Sequence, residues 1–441
     1  MRDRTAEWIA EAAGGRLVAG DPAEPGPVRA SIDSREIEPG ELFAGLRGGA
    51  DGGQFAGAAL EAGAWGVLVG PEHAEALAAA GRPVIAATDP LGALQVLARA
   101  WRHELGRRVV GITGSTGKTS TKDILTALLS GAGTSVHANR ENLNTEIGLP
   151  LTILEADRGV EALVLEMAMR GAGQIAELTA IADPDVGLIV NVGPVHLELL
   201  GTVERVAAAK AELIRDLRTG GACVVPAEEP LLEPHLRDDL ETITFGPGGD
   251  VRLESFEGGV ARIDARGQPI ELELSYSEPH NVLNTVAAVA AATALGVTPG
   301  GRVEVGFSSL RGQVVELDGG VTVVNDCYNA NPMSMRAALE HLAETPAERR
   351  IAVLGTMAEL GPDGARFHRE IGRRAGELGV DVLITVGEPA VRFGDEFDGE
   401  KHAVASPEEA RAILEELAMP GDRVLVKGSR SVGLERVVGA T

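Results

Sequence analysis

The sequence predicts an α/β fold in three domains. These are a small N-terminal α/β domain (residues 1–100), a central parallel-sheet domain of the P-loop ATPase kind (101–310) and a C-terminal Rossmann-like domain (311–441). Three observations predict it. Short apolar runs alternate with helix-spaced segments along nearly the whole chain, the pattern of sheets covered by helices. The length of 441 residues suits two to four domains with ample core. One stretch, Arg107–Ser120, reads in order as buried strand, glycine-rich turn and helix.

Composition narrows the function classes. The chain is 44% hydrophobic and 24% charged, a globular balance. Its net charge of −25 argues against non-specific binding to nucleic acid or an anionic membrane. An anionic substrate then needs locally gathered cations or a metal. Cys223 and Cys327 make no disulfide framework and no C-x-x-C. The first residues lack the apolar core of a signal peptide, and no apolar run reaches the length of a membrane span. The cytoplasm is the expected compartment. Lysine occurs only at Lys118, Lys122, Lys210, Lys401 and Lys427, with arginine supplying the other basic positions.

The first unit opens with a stiff loop, Pro22–Pro27, and alternates short strands with helices as far as Gly66-Val67-Leu68-Val69. Ser34 and Arg35 stand on a loop. They read equally well as a diphosphate clamp, since arginine forms forked hydrogen bonds, and as a solvated turn.

The central unit starts at the glycine-rich turn. Gly114, Ser115, Thr116 and Gly117 would point backbone N–H groups and a helix N-terminus at phosphate. Lys118 would reach the β- and γ-phosphates, the Thr119 hydroxyl would hold Mg²⁺, and Ser120 continues the turn into the helix. The general pattern G-x-x-x-x-G-K-[ST] is met imperfectly, because its first glycine falls on Ile112. An amide-rich loop, Asn139–Pro150, contains Asn142 and Asn144. The strand Ala162–Leu165 ends at Glu166, and Val186–Val190 leads to Asn191, Gly193 and His196. Ligands of parallel sheets sit beyond the carboxyl ends of the strands, so Lys118, Thr119, Glu166 and His196 are expected in one crevice. A carboxylate and a hydroxyl suit Mg²⁺. A lone histidine there is as readily a packed or surface residue. Val203–Leu217 has helical spacing and carries Lys210. Val251–Tyr276 alternates apolar and polar residues between glycines, which predicts hairpins at a sheet edge. His280, Asn281 and Asn284 open a helix and could offer amides to a base edge, or simply cap it.

The third unit runs strand, helix, strand, helix, strand, helix, strand, helix from Val321 onward. Its first strand leads into Asn325-Asp326-Cys327-Tyr328-Asn329-Ala330-Asn331-Pro332, and no G-x-G-x-x-G follows, so a dinucleotide is not indicated.

Taken together, these motifs resemble the Mur ligase family over essentially the whole chain. The phosphate loop Thr113–Thr119 has that family's form, which accounts for the imperfect general match. Leu165–Ile175 is similar to the family's glutamate segment, Asn191–Glu198 and the Lys210 helix follow at suitable spacing, and His280-Asn281-x-x-Asn284 matches its adenine-binding segment. Asp326–Pro332, Glu359-Leu360-Gly361 and Lys427–Arg430 resemble the type that adds D-alanyl-D-alanine. The chain departs from the pattern at Asn139 and Glu141, where Thr and Gly are common, at Thr356 and at Pro226–Glu229.

The resemblance implies a monomeric ADP-forming ligase that joins UDP-N-acetylmuramoyl-tripeptide to D-alanyl-D-alanine through an acyl phosphate, using ATP and two Mg²⁺ ions. It implies that Lys118, Lys210, His196 and Glu166 are catalytic, with Thr119, Glu166, His196 and Lys210 on the metal. Lys210 would be carbamylated by CO₂. Read from its helix alone, it is an exposed lysine paired with Glu212 or Asp216. Gly114–Ser120, His280, Asn281, Asn284, Arg311 and Asp326 would bind ATP. Ser34, Arg35, Asn142, Asn144, Tyr328 and Asn329 would bind the other substrates. The alternatives are a sister ligase, of another Mur or the folylpolyglutamate type, and a P-loop switch that uses ATP for binding.

Overall fold

The computed structural model describes residues 1–140, 142–308, 310–317 and 319–439. The departure noted at Glu141 lies outside the described residues. Among the described residues the strands form three sheets, of five, ten and six strands, in consecutive stretches of the chain. This is the expected α/β architecture.

The first sheet is ordered Arg16–Ala19, Val84–Ala86, Gly66–Val69, Leu42–Ala44, Ala30–Ser31. Only its first pair is antiparallel. Leu42–Ala44 and Gly66–Val69 are buried at every position, as parallel strands covered on both faces must be. The helix Pro90–Leu105 follows. Asp89 caps it by accepting the Leu91 N–H, Pro90 opens it, and Gly106 ends it in the left-handed region. Its last turns are pinned to the next unit. The Trp101 indole donates to the Ala156 carbonyl at 2.9 Å, and Arg102 donates to the Ala182 carbonyl and to Asp185. The domain break expected at residue 100 therefore falls inside a continuous helix.

In the central sheet, Arg108–Thr113 lies between Ala162–Glu166 and Val186–Ile189 and is parallel to both. Ala222–Pro226 and Glu241–Phe245 extend the parallel part. Val251–Glu257, Val260–Ala265 and Gln268–Leu274 then run antiparallel, the expected hairpins. Helices Lys118–Gly131 and Pro279–Ala294 pack together on one face. Ala287, Ala288, Ala290, Ala291 and Ala292 are all buried, so small side chains set the close approach. The single helix expected over Val203–Leu217 is two, Val203–Lys210 and Glu212–Asp216, with Ala211 between them. Glu212 is engaged elsewhere. Its carboxylate accepts the Gly173 and Ala176 N–H groups, capping helix Gln174–Ala182.

The third sheet is ordered Gln313–Leu317, Val321–Asn325, Asp422–Lys427, Arg349–Gly355, Val382–Val386, Glu400–Val404. The four inner strands are those expected. The two edge strands are additional, and between the last two expected strands there is a 3₁₀ segment, Pro389–Glu396, a strand and helix Pro407–Leu417 rather than one helix. Both edge strands are short and half exposed. Such edges resist unwanted pairing and carry a weak apolar signal.

Candidate active site

The three parallel strands of the central sheet end at Thr113, Glu166 and Ile189, and a crevice of about 1130 Å³ opens beyond them. Ser115–Ser120, Asn142, Asn144, Glu166, His196, His280, Asn281, Asn284, Arg311, Asp326, Tyr328 and Asn329 line it.

The phosphate loop is held in shape by the neighbouring strand end. Asn191 Oδ1 accepts the Ser115 and Thr116 N–H groups at 3.1 and 2.9 Å, and its Nδ2 donates to Thr116 Oγ1 at 3.0 Å. The Gly193 N–H donates to Ser115 Oγ at 2.9 Å. Gly117 precedes helix Lys118–Gly131 with φ +74°, and no side chain caps the helix. Its first N–H groups are thus left for an anion. The left-handed backbone at Gly117 favours glycine, and a Cβ there would stand 2.7 Å from Asn284 Oδ1 and press that side chain aside. The Lys118 Nζ donates to the Gly114 carbonyl at 2.9 Å, at the base of the loop. Burial lowers the Lys118 pKa, opposed by Glu166 and assisted by Arg311.

Glu166 is the most constrained carboxylate of the crevice. Its Oε2 accepts the Thr119 hydroxyl at 2.7 Å and its Oε1 accepts Asn144 Nδ2 at 2.8 Å. Asn139 holds the backbone beneath it. Asn139 Oδ1 accepts the Glu166 N–H at 2.8 Å, and Nδ2 donates to the carbonyls of Glu166 and Leu143. Lys122, 4% exposed, donates to the Asn139 carbonyl in turn. A carboxylate and a hydroxyl at contact distance are hard oxygen donors and fit Mg²⁺.

Lys210 is not the exposed, paired lysine that its helix alone suggests. It is 1% exposed. Glu212 caps another helix and Asp216 pairs with Arg215. Burial pushes the Lys210 pKa well below the lysine range, and the like charge of Lys118 adds to the effect. Burial of this kind favours the neutral, nucleophilic form of the amine. His196 takes a left-handed backbone, φ 54°, and its Nδ1 contacts Glu359 Oε2 from the third unit. Burial lowers its pKa. Glu359 opposes that shift, and the charges of Lys118 and Lys210 reinforce it. Lys118, Glu166, His196 and Lys210 therefore form one electrostatic group.

The third unit closes the crevice. Asp326 Oδ2 pairs with Lys427 Nζ at 2.6 Å, and the same ammonium donates to the Asn329 carbonyl at 3.0 Å. Lys427 is 2% exposed, so one buried cation anchors both ends of the Asp326–Asn329 turn. The Arg311 guanidinium lies 4.1 Å from the centre of the Tyr328 ring, and its Nε is buried without a hydrogen-bond partner. The Asn329 side chain accepts the Ala330 N–H, while His280, Asn281 and Asn284 sit on the first turns of their helix. Met333 packs onto Gly193, where any Cβ would overlap its sulfur.

Ser34 and Arg35 are not brought to this crevice. They lie on the loop after Ala30–Ser31, where exposed Arg35 forks onto Asp33 at 2.9 and 2.5 Å. Sequence reasoning missed Asn139, Lys122 and the roles of Asn191, Glu359 and Lys427 in holding the site. The available signals were amides next to predicted strand ends and the scarcity of lysine in the chain.

Comparison with known proteins adds to the geometry. Residues 112–292 match the family model described as the Mur ligase middle domain, and residues 310–430 match Mur ligase, glutamate ligase domain. The UDP-N-acetylmuramoyl-tripeptide–D-alanyl-D-alanine ligase of Bacillus subtilis (strain 168) is 35% identical over 460 residues, covering 99% of this chain and 98% of the relative. That of Escherichia coli (strain K12) is 30% identical, covering 93% and 92%. MurF ligase from Thermotoga maritima, solved in complex with ADP, is 33% identical over 93% of this chain and 96% of its own, with a TM-score of 0.81. MurF from Acinetobacter baumannii gives a TM-score of 0.87 at 27% identity, over 99% and 98% of the two chains. Given relatives this similar over their full length, the chain belongs to the Mur ligase family.

Proposed function

We propose that the chain joins D-alanyl-D-alanine to UDP-N-acetylmuramoyl-tripeptide at the expense of ATP, which is cleaved to ADP and phosphate. The observation that carries this reading is the agreement of full-length relatives bearing that activity in their names with a crevice built from phosphate loop, Glu166 and the Asp326–Asn329 turn.

The chemistry is a problem of positioning and charge. The tripeptide carboxylate attacks the γ-phosphorus and ADP departs, leaving an acyl phosphate. The dipeptide amine then adds to the acyl carbon, loses its proton, and phosphate leaves as the tetrahedral intermediate collapses. Carboxylate and triphosphate repel one another. Lys118 and Arg311 offset that repulsion, and the unpartnered Nε of Arg311 leaves a donor for an anion. Gly114–Ser120 cradle the phosphates, His280, Asn281 and Asn284 face the base, and Asp326 holds the ribose. Tyr328 and Asn329 receive the dipeptide, and Asn142 and Asn144 position the muramoyl substrate. Ser34 and Arg35 hold the UDP diphosphate. In this division residues 1–100 bind the UDP end, 101–310 ATP and 311–441 the dipeptide.

Thr119, Glu166, His196 and a carbamylated Lys210 would hold Mg²⁺, which when bound neutralises phosphate charge. Lys210 fits carbamylation because it is buried, that burial favours the neutral amine, and no acidic group among the described residues opposes the shift. The product would be an anion with hard oxygen donors. No helix among the described residues is long and apolar enough to cross a membrane. The substrates place the work in the cytoplasm, and a monomer carries every proposed residue.

The test is phosphate release measured across a matrix of UDP-muramoyl peptides and amine acceptors. Release should require both the tripeptide and D-alanyl-D-alanine. Release with a single amino acid as acceptor would make this a sister ligase. Release without any acceptor would make it an ATPase switch.

A further inference from the structure

His196 and Glu359 lie 163 residues apart, one in the central unit and one in the third, and they meet at the crevice. Among the described residues only five non-glycine residues have positive φ, and two of them are this pair, His196 at 54° and Glu359 at 62°. Left-handed backbone at residues other than glycine persists where the surroundings over-determine it, and it concentrates at functional sites. Here the surroundings are specific. Glu359 Oε2 contacts His196 Nδ1, and Glu359 Oε1 faces Arg170 Nε at 3.4 Å. The Glu198 N–H donates to the Glu359 carbonyl at 3.2 Å. Three points of the central unit thus grip one residue of the third.

We propose that Glu359 is the positioning residue of His196, fixing its ring for metal binding, so that the metal site is complete only when the third unit is docked. The proposal rests on the reading of His196 as a metal ligand. A histidine that donates Nδ1–H to a carboxylate presents the Nε2 lone pair and is made more basic, the arrangement found behind metal-binding histidines generally. In this chain the carboxylate arrives from another unit. Docking of the third unit, which also brings Asp326 and Asn329, therefore orients the metal ligand in the same movement. Metal binding must then favour the docked arrangement by the same factor as docking favours metal. A plain inter-unit ion pair would leave metal affinity untouched.

The experiment uses the full chain, a non-hydrolysable ATP analogue and Mn²⁺ as probe, with free Mn²⁺ read by electron paramagnetic resonance. Glu359→Ala should weaken Mn²⁺ binding about 10- to 100-fold, the usual effect of removing such a partner. Glu359→Gln, whose amide oxygen still accepts the Nδ1–H, should recover most of the affinity. His196→Ala should weaken binding at least as much as Glu359→Ala, and adding Glu359→Ala to it should cost nothing more. Arg170→Ala, which removes an ion pair but leaves the histidine contact, should stay within about twofold of the parent. If His196→Ala weakens Mn²⁺ binding and both Glu359 variants bind like the parent, the positioning role is wrong while the metal reading stands. If His196→Ala itself binds Mn²⁺ like the parent, the metal reading falls and this inference with it.

Discussion

Lys210 shows how one residue's surroundings decide its chemistry. Its sequence neighbours are an ordinary helix. Its spatial neighbours deny it water and an acidic partner, and Lys118 adds a like charge. Folding lowers the pKa of this amine, so where the two states differ the unfolded chain binds more protons here. Stability therefore rises with pH across the interval from the lowered value up to the ordinary lysine range. In CO₂-depleted buffer Lys210→Met should melt above the parent at neutral pH, and the gap should narrow as pH increases. A constant gap would place a charged amine in the fold. Lys210→Ala should lose ligation and regain part of it with a short carboxylic acid that replaces the carbamate. Asn139 makes the complementary point. Its side chain is buried and uses both amide atoms on the backbone around Glu166. Asn139→Ala strands those groups and should cost about 1–3 kcal/mol of stability. It should also depress kcat more than the KM for ATP, because it displaces Glu166 and leaves the phosphate loop alone.

At the scale of elements, the strand–loop–helix from Arg108 to Gly131 works because its loop is fixed from outside. Asn191 and Gly193 belong to the next strand end and supply the hydrogen bonds that a free glycine-rich turn lacks. Gly117 takes a left-handed backbone, φ +74°, that favours glycine. In Gly117→Ala the new methyl group meets Asn284 and the backbone is strained by about 1–2 kcal/mol. We expect a lower melting temperature and loss of ATP-analogue binding by calorimetry. Unchanged affinity would mean that the loop does not contact phosphate. Helix Pro90–Leu105 is the other decisive element. It leaves the first sheet and ends hydrogen-bonded to Ala156, Ala182 and Asp185, so the first unit is joined to the central one through a continuous helix.

Across the whole molecule the crevice is shared between the central and third units. Met333 fills the space over Gly193, and Asn331, which caps helix Pro332–Glu344, also approaches the Ser115 carbonyl. A side chain at Gly193 should hold the two units apart. Gly193→Val should keep nucleotide-analogue binding within a few-fold and lose ligation, because the third unit, with the proposed dipeptide residues Tyr328 and Asn329, is held away from the central unit. Full turnover by that variant would show that this contact is dispensable for closure. The same dependence on two units explains the need for closure: an acyl phosphate is hydrolysed unless water is excluded.

The sequence by itself determined what is local or periodic. It gave away the alternating strands and helices, the phosphate loop, Glu166 at a strand end and the hairpins after Val251, because each depends on side-chain spacing along the chain or on a turn that only certain residues can make. Its short edge strands, Gln313–Leu317 and Glu400–Val404, were not legible, since half-exposed edges bury too little to leave a pattern. The break at Ala211, the helix running through residue 100, the burial of Lys210 and the meeting of His196 with Glu359 were decided only by tertiary structure. In each of these the controlling partner is distant in sequence: Glu212 capping another helix, Trp101 reaching Ala156, the packing around Lys210, a carboxylate from a different unit. Local propensity is a property of neighbours along the chain, whereas desolvation and charge depend on neighbours in space.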